Sequence, residues 1–218
     1  MVQKTDKPSR GRPRAYDPDT ALAHATEAFW QSGFSGTSLD ALSSATGMNR
    51  PSLYGAFGDK RALYLTTLER YIAGGLALMR DALDADLPLR IGLKRVYEGA
   101  LSLYFNNMGA ARGCFLIGTA ATEAPNEPEV RTRLGEGLRQ FDRAFEARLR
   151  QAQVQGELDE AVDSASMAKI ASAILHTLAV RSRAGDSRAS LRKTAEAGIE
   201  LICGPVPGTK GKRQHRQR

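Results

Sequence analysis

The sequence is poor in cysteine and histidine and has no long apolar run, and each shortage argues against a class of protein. Only Cys114 and Cys203 are present, far apart, so we expect two reduced thiols rather than a disulfide framework. No apolar run approaches the roughly 20 residues that a membrane-spanning helix needs. Residues 1–14 are polar and basic, unlike a signal peptide. These features predict a cytoplasmic protein that has no membrane partner.

The residues that commonly build metal or acid–base sites are scattered. The three histidines are His24, His176 and His215, and they are accompanied by neither a cysteine cluster nor paired carboxylates. Such sites need several of these side chains in convergence. The sequence therefore predicts no catalytic residue, no metal and no cofactor. A small helical enzyme would become a serious alternative only if a bound metabolite were turned over.

Positive charge is abundant, and it is concentrated at the two ends of the chain. The net charge of the 218 residues is +7. Residues 1–14 carry five basic residues against Asp6, a net +4, and residues 210–218 carry five basic residues and no acidic one, which leaves −2 for the rest. Basic arms on a near-neutral body suit attraction to phosphates. For residues 210–218, a solubilising or cloning-derived tail explains the charge equally well.

Between the arms the pattern predicts an all-α fold of about nine helices. Apolar residues recur three and four apart, and Gly or Pro stands at the breaks. Asp17, Asn49 and Asp59 are expected to cap the first, third and fourth helices, and Thr37 with Asp40 to support the start of the second. The predicted helices are 18–33, 37–47, 50–57, 60–85, 89–107, one within 111–122, 128–156, 164–183 and 188–203.

The second and third predicted helices are short, and a three-residue turn, 47–49, separates them. This arrangement predicts a helix-turn-helix. Its apolar residues would clamp the two short helices onto the first: Leu39, Leu42, Met48, Leu53 and Phe57. The polar start of the third helix is then free to enter a DNA major groove.

A family resemblance rests on these same residues. Gly33-Phe34, Gly36-Thr37-Ser38-Leu39 and the run Asn49 to Lys60 (NRPSLYGAFGDK), followed by Leu63, resemble the TetR/AcrR family of regulators. The resemblance is close over 16–65 and extends beyond residue 85 only in helix number and order. It implies a ligand-responsive regulator, more often a repressor, that binds a palindromic operator as a homodimer. The expected organisation is a basic arm 1–15, a three-helix DNA-binding domain 16–65, a helical effector-binding and dimerisation domain 66–204 and a basic tail 205–218.

The expected DNA contacts divide into those that read bases and those that hold phosphates. Arg50 is suited to a bidentate contact with guanine, and Pro51 to a thymine methyl group. The resemblance implies that Thr37, Tyr54 and Lys60 bind phosphate. Gly55-Ala56 departs from the larger polar pair of many relatives, so fewer base contacts are expected there. The full expected set is Arg10, Arg12, Arg14, Thr37, Ser38, Asn49, Arg50, Pro51, Ser52, Tyr54 and Lys60.

The segment Arg10-Gly11-Arg12-Pro13-Arg14 has the core of an AT-hook, in which an extended chain lays arginines along a narrow minor groove. Its place just before the helix-turn-helix favours minor-groove or phosphate contact over a plain tail. An architectural protein that binds AT-rich DNA through both basic arms is therefore an alternative function. Footprinting separates the two, because only a regulator protects a defined palindrome.

The C-terminal part is expected to hold an unknown small-molecule effector and the dimer interface. The resemblance implies a pocket around helices five to seven, although ordinary core packing explains each of its aromatic residues as well. The expected pocket residues are Tyr97, Leu101, Tyr104, Phe105, Met108, Cys114, Phe115, Phe141 and Phe145. The apolar stripes of helices eight and nine place the dimer interface at Ile174, Leu178, Leu191 and Ile199.

Two single residues of this part carry open interpretations. Arg112 could lower the pKa of the Cys114 thiol and make it oxidisable, but a buried, inert thiol is favoured. His176 lies on an apolar helix face and is expected to pack in the core or the dimer interface rather than to bind a ligand.

Overall fold

The computed structural model describes residues 17–84, 86–105 and 111–205, and over these residues the fold is all-α, as predicted. One isolated antiparallel bridge joins Phe105 to Ala111. A π-helical turn, Leu116–Ala120, leads directly into the short helix α6. The helices are α1 Pro18–Gly36, α2 Leu39–Thr46, α3 Arg50–Phe57, α4 Lys60–Ala82, α5 Leu89–Tyr104, α6 Ala121–Glu123, α7 Pro128–Val154, α8 Ser164–Arg183 and α9 Arg188–Cys203.

Side-chain caps explain where most of the helices begin. Asp17 accepts hydrogen bonds from the first turn of α1, Asn49 Oδ1 accepts from Ser52 N at 2.9 Å, and Asp59 Oδ1 accepts from Ala62 N at 2.8 Å. Each cap satisfies a backbone N–H that has no partner within its helix. The predicted starts of α1, α3 and α4 are therefore confirmed.

The predicted start of α2 is wrong by one residue. Ser38, not Thr37, caps this helix, and its Oγ accepts a hydrogen bond from Ala41 N at 3.0 Å. The Thr37 hydroxyl instead donates to the Gly33 carbonyl at 2.6 Å. Gly33 has a φ of 72° and breaks the regular part of α1 where the sequence predicted. Thr37 therefore closes the turn after α1 rather than opening α2.

The first three helices pack as a compact unit against the N-terminal half of α4. The clamp residues Leu42, Met48 and Leu53 are buried, while Leu39 and Phe57 are half-buried against the same core. Helix α1 contacts both α2 and α4, and α3 contacts α4. This packing leaves the polar side of α3 uncovered.

The long helix α7 lies at the centre of the C-terminal part, between α4 and α8. Helices α5, α8 and α9 pack on one another beside it. The apolar stripe predicted on α7 faces inward, since Val130, Phe141, Phe145 and Leu149 are buried. Among the described residues, no helix is both long and apolar enough to cross a bilayer.

The chain between α5 and α7 departs most from the prediction. Helix α5 ends at Tyr104 rather than near residue 107, and the helix predicted within 111–122 begins with the π-helical turn and continues into α6. Residues 112–114, which precede it, are non-helical. Gly113 makes this path possible with a φ of 66°. A Cβ there would lie 2.8 Å from the Ala179 carbonyl oxygen of α8. The close approach of residue 113 to the backbone of α8 therefore requires glycine.

Gly113→Ala should destabilise the protein by about 2 kcal/mol or more, because it adds a left-handed non-glycine residue and a clash with backbone. Gly74→Ala is the matched control, since Gly74 lies in α4 with open space around its Cβ position. That substitution should stabilise by up to ~1 kcal/mol. Urea denaturation measures both, and equal effects of the two changes would contradict this account of Gly113.

Candidate nucleic-acid interface and effector cavity

Helix α3 presents its N-terminal polar residues to solvent. Asn49, Arg50 and Pro51 are exposed, and the ring of Tyr54 is 46% exposed. Leu53, between them in sequence, is buried against α4 and fixes which side of the helix faces outward. The structure thus exposes four of the predicted DNA contacts, Asn49, Arg50, Pro51 and Tyr54, on α3 and its cap.

Arg50 is held by a side chain of the preceding helix. Its Nη2 lies 2.7 Å from Asp40 Oδ1, and its Nε donates to the same oxygen at 3.2 Å. This hydrogen bond raises the pKa of the Arg50 guanidinium. Both side chains remain largely exposed, so the pair orients Arg50 without removing it from solvent. Asp40 is a positioning residue that the sequence did not suggest.

Two residues expected to bind phosphate have different environments. The Lys60 Nζ lies 4.5 Å from the centroid of the Phe34 ring, and partial burial lowers its pKa. Thr37 is only 1% exposed and its hydroxyl is already bonded to Gly33, so its side chain is not available to a phosphate. Arg10, Arg12 and Arg14 lie outside the described residues.

A cavity of about 380 Å³ lies between α4, α5, the π-helical turn, α7 and α8. Three of the predicted pocket residues line it: Tyr104, Cys114 and Phe141. Five others do not, and Met108 lies outside the described residues. Those five are Tyr97, Leu101, Phe105, Phe115 and Phe145.

The side chains of these five residues belong to the core or to its edge. Leu101, Phe115 and Phe145 are fully buried in the core, and Phe105 packs against it half-buried. Tyr97 is buried as well, and its hydroxyl donates to the Ala171 carbonyl at 3.1 Å.

Helix α4 forms one wall of the cavity, which was not predicted from the sequence. Tyr71, Gly75, Met79 and Ala82 lie three or four residues apart and face the cavity. This spacing was visible in the sequence, but it predicts only an apolar helix face and not a void beside it. His176 also lines the cavity rather than serving only as core, so the expectation for it was too narrow.

Burial sets the state of the Cys114 thiol. Its Sγ accepts a hydrogen bond from the Tyr71 hydroxyl at 3.3 Å, and Tyr104 lines the cavity near it. Desolvation raises the pKa of this thiol. Arg112 lies elsewhere, stacked on the Trp30 ring at 4.0 Å and paired with Glu27 at 2.9 Å. The idea that Arg112 lowers the thiol pKa is wrong, and the buried neutral thiol is supported.

Polar contacts join α1 to the chain that walls the cavity. Trp30 Nε1 donates to the Arg112 carbonyl at 3.1 Å, just before Cys114. Ser35 Oγ donates to a carboxylate oxygen of Glu123 at 2.8 Å. The helix-turn-helix unit is therefore bonded directly to the segment that carries the cavity wall.

Sequence comparison identifies relatives of both parts of the chain. Residues 21–67 match the family described as bacterial regulatory proteins, tetR family, and residues 92–197 match the tetracyclin repressor-like C-terminal domain. The HTH-type transcriptional repressor ComR of Escherichia coli (strain K12) is 30% identical over 195 residues, or 89% of this chain and 93% of that protein. The chain belongs to the tetR family.

Solved structures of tetR-family proteins have the same fold. A cysteine mutant of the regulator CifR, complexed with 26-bp double-strand operator DNA, superposes with a TM-score of 0.81 at 31% identity, covering 88% of this chain and 100% of that one. Reduced NemR of E. coli superposes with a TM-score of 0.77 at 19% identity, covering 87% and 98%, and shows the fold alone. The predicted family, the fold class and the role as a DNA-binding transcriptional regulator are confirmed.

The predicted dimer residues of this tetR-family protein lie inside the protomer. Leu178, Leu191 and Ile199 are buried, and Ile174 packs over Gly198 between α8 and α9. A side chain with almost no exposed surface has little left to bury against a partner, so the burial of these three residues argues against their placement in the interface. The outward stripe of the same two helices consists of Ile170, Ala173, Thr177, Val180, Ala197 and Leu201.

His176 should make the stability of the protein depend on pH. Burial lowers its pKa from the ordinary 6.5, although nearby Asp142 opposes the shift. As the pH falls below that value, the unfolded chain binds a proton that the folded chain does not, so stability should decrease. Between about pH 7 and pH 5, the His176→Gln variant should lose stability less steeply than the wild type in urea titrations. An unchanged slope would contradict the burial of a neutral imidazole.

Proposed function

We propose that this protein is an effector-controlled repressor that binds a palindromic operator as a homodimer. The observation that carries the proposal is the exposed polar start of α3, which is held by the buried clamp residues and preceded by Asp40 on α2. A recognition helix contacts base edges through its N-terminal residues. A regulator that acts on DNA in this way works in the cytoplasm.

The exposed residues of α3 fall into two groups of DNA contacts. Arg50 reads a guanine, and Pro51 lies against a thymine methyl group, while Asn49 and Ser52 bond neighbouring base or phosphate groups. A second group holds phosphate and sets the register: Ser38, Tyr54 and Lys60. Thr37 is left out of the proposed set because its side chain is buried.

The dimer interface of this proposal is the outward stripe of α8 and α9. Val180 is 56% exposed and Leu201 is 66% exposed, although both are large and apolar. A two-fold axis at these helices brings the same residues of two copies together. The dimer then holds two α3 helices one turn of DNA apart, at about 34–36 Å.

The proposed effector control depends on the cavity and on the contacts that join α1 to the chain beside it. We call these contacts, of Trp30 and Glu27 with Arg112 and of Ser35 with Glu123, the joint. We place the DNA-binding domain at about 16–65 and the effector and dimer domain at about 66–204, with α4 shared between them. An effector that fits the cavity better in one arrangement of the two domains shifts the population toward that arrangement. The shift reaches α1 through the Arg112 contacts with Trp30 and Glu27.

Substitution of a base-reading residue should reduce sequence discrimination, whereas substitution of a phosphate-binding residue should reduce the affinity for all DNA sequences. Arg50→Ala should reduce discrimination at one base pair by about five- to a hundredfold, because a bidentate base contact is lost. Asp40→Ala should lower the same discrimination by less, because Arg50 remains but loses the acceptor that orients it. Lys60→Ala should weaken all sequences alike. Binding titrations on single-base operator variants measure this, and equal loss of specificity in all three would contradict the assignment.

The dimer stripe can be tested with two exposed valines. Val180→Asp places two charges in one apolar contact and should split the dimer, with a steep loss of operator binding, because a monomer grips one half-site. Val154→Asp is the control, since Val154 is 89% exposed at the end of α7 and off the stripe. Sedimentation velocity reports the oligomer. A dimeric Val180→Asp variant would overturn the interface.

Footprinting of the wild-type protein tests the function itself. A repressor should protect one short palindrome. Protection without a defined site would favour the alternative, an architectural protein that binds AT-rich DNA through its basic arms. The arm residues 10–14 lie outside the described part of the chain, so their role in the minor groove remains a prediction.

A further inference from the structure

The cavity keeps its charged residues at the rim and its uncharged residues inside. Among the lining residues, Asp81 and Arg95 are exposed at the α4–α5 edge, next to Leu78. The interior is formed by buried side chains that include Leu116, Phe141 and Leu175. A molecule inside this cavity would leave water and meet no compensating charge. An ionic group would therefore lose its hydration without a partner.

The cavity is lined by one imidazole, that of His176, whose pKa burial lowers, and by a group of polar side chains around the Cys114 thiol. The Tyr71 hydroxyl donates a hydrogen bond to the Sγ of Cys114 at 3.3 Å, and Tyr104 lines the same cavity and interacts with that thiol. Burial raises the pKa of both phenols well above the ordinary value and raises that of the thiol, so all three carry their protons at neutral pH. Two strong O–H donors thus line the cavity beside sulfur, which is a weak acceptor.

An oxygen acceptor would satisfy these two donors better than sulfur does. A carbonyl or ether oxygen that enters the cavity offers two lone pairs, the number that two phenols require. The neighbouring surface is apolar and suits a hydrocarbon body. At about 30 Å³ per water molecule, the cavity has room for about a dozen waters, and it therefore accepts a small molecule of similar size.

We propose that the effector of this cavity is a neutral, mainly apolar molecule with one acceptor oxygen, such as a ketone, aldehyde, ester or ether, to which Tyr71 and Tyr104 donate hydrogen bonds. This inference rests on the proposed function, because it names the chemical class of the effector. It also connects binding to the joint, since the ring of Tyr71 lies edge-on to Trp30 with a centroid distance of 5.2 Å.

Three probes of the same shape test the proposal. Acetophenone carries a ketone, α-methylstyrene replaces its oxygen with a CH₂ group, and benzoate replaces its methyl group with a charged oxygen. Calorimetric titration of the full-length protein at neutral pH measures the affinity of each. Acetophenone should bind about three- to tenfold more tightly than α-methylstyrene, the worth of one or two neutral hydrogen bonds. Benzoate should bind at least about tenfold more weakly than acetophenone.

Variants assign the preference to the two phenols. Tyr71→Phe with Tyr104→Phe should make acetophenone bind no better than α-methylstyrene, while the affinity for α-methylstyrene stays unchanged. Tyr97→Phe is the matched control, because Tyr97 is also buried but bonds the Ala171 carbonyl away from the cavity. It should leave the preference intact. If the double variant does not fold, each single substitution should lower the preference by part of this amount.

Several results would overturn the proposal. These are benzoate binding as tightly as acetophenone, a ketone preference that survives loss of both phenols, or no binding of any of the three probes. Operator binding by the free protein is measured separately in each case. Intact operator binding with a failed probe series refutes only the effector class, whereas absence of operator binding refutes the proposed function.

Discussion

The indole of Trp30 is the contact on which the relation between the two parts of this protein depends. Tyr71 lies edge-on at 5.2 Å, Phe115 lies at 5.6 Å, and the Arg112 guanidinium stacks on the ring at 4.0 Å. Its Nε1 is also bonded to the Arg112 carbonyl. Aromatic pairs of this kind contribute about 0.5–1.5 kcal/mol each beyond the area they bury. Trp30 therefore fixes α1 to α4 and to the segment after Gly113 at one point.

The remaining polar contacts across this joint are exposed and individually weak. Ser35 bonds Glu123, Arg70 pairs with Asp19, and Glu27 pairs with Arg112, all with substantial solvent exposure. Exposed pairs typically contribute less than about 1 kcal/mol. Rearranging them costs little, whereas separating the aromatic rings costs more. The aromatic contacts of Trp30 therefore hold the two parts together more strongly than these polar contacts do.

Local chemistry made much of the helix-turn-helix predictable. Asp17, Asn49 and Asp59 each precede a run of residues with helical apolar periodicity. An Asp or Asn in this position caps the helix, because the unpaired backbone N–H groups of the first turn need an acceptor whatever packs nearby. Thr37 and Ser38 show where this reasoning ends. Both are good caps, and the choice between them depended on the turn at Gly33, which gives the Thr37 hydroxyl another acceptor.

The cavity and the dimer stripe required the tertiary structure. Phe115 and Phe141 are both buried aromatic residues, yet Phe115 packs against Trp30 at 5.6 Å whereas Phe141 lines the cavity. The path of the chain after Gly113 places the Phe115 ring beside Trp30. Leu178 and Val180 likewise lie on opposite faces of α8, and both are apolar.

The sequence by itself determined the order of the helices, the caps of α1, α3 and α4, the clamp of the helix-turn-helix and the polar start of α3. All of these follow from spacing and backbone hydrogen bonding along one segment. Only the packing of α4, α5, α7, α8 and α9 decided which apolar surface closes the core, which lines a cavity and which stays outside. The physical reason is that hydrophobic burial is not directional. A stripe of apolar residues predicts that a helix face is buried, but it does not identify the element that packs against it.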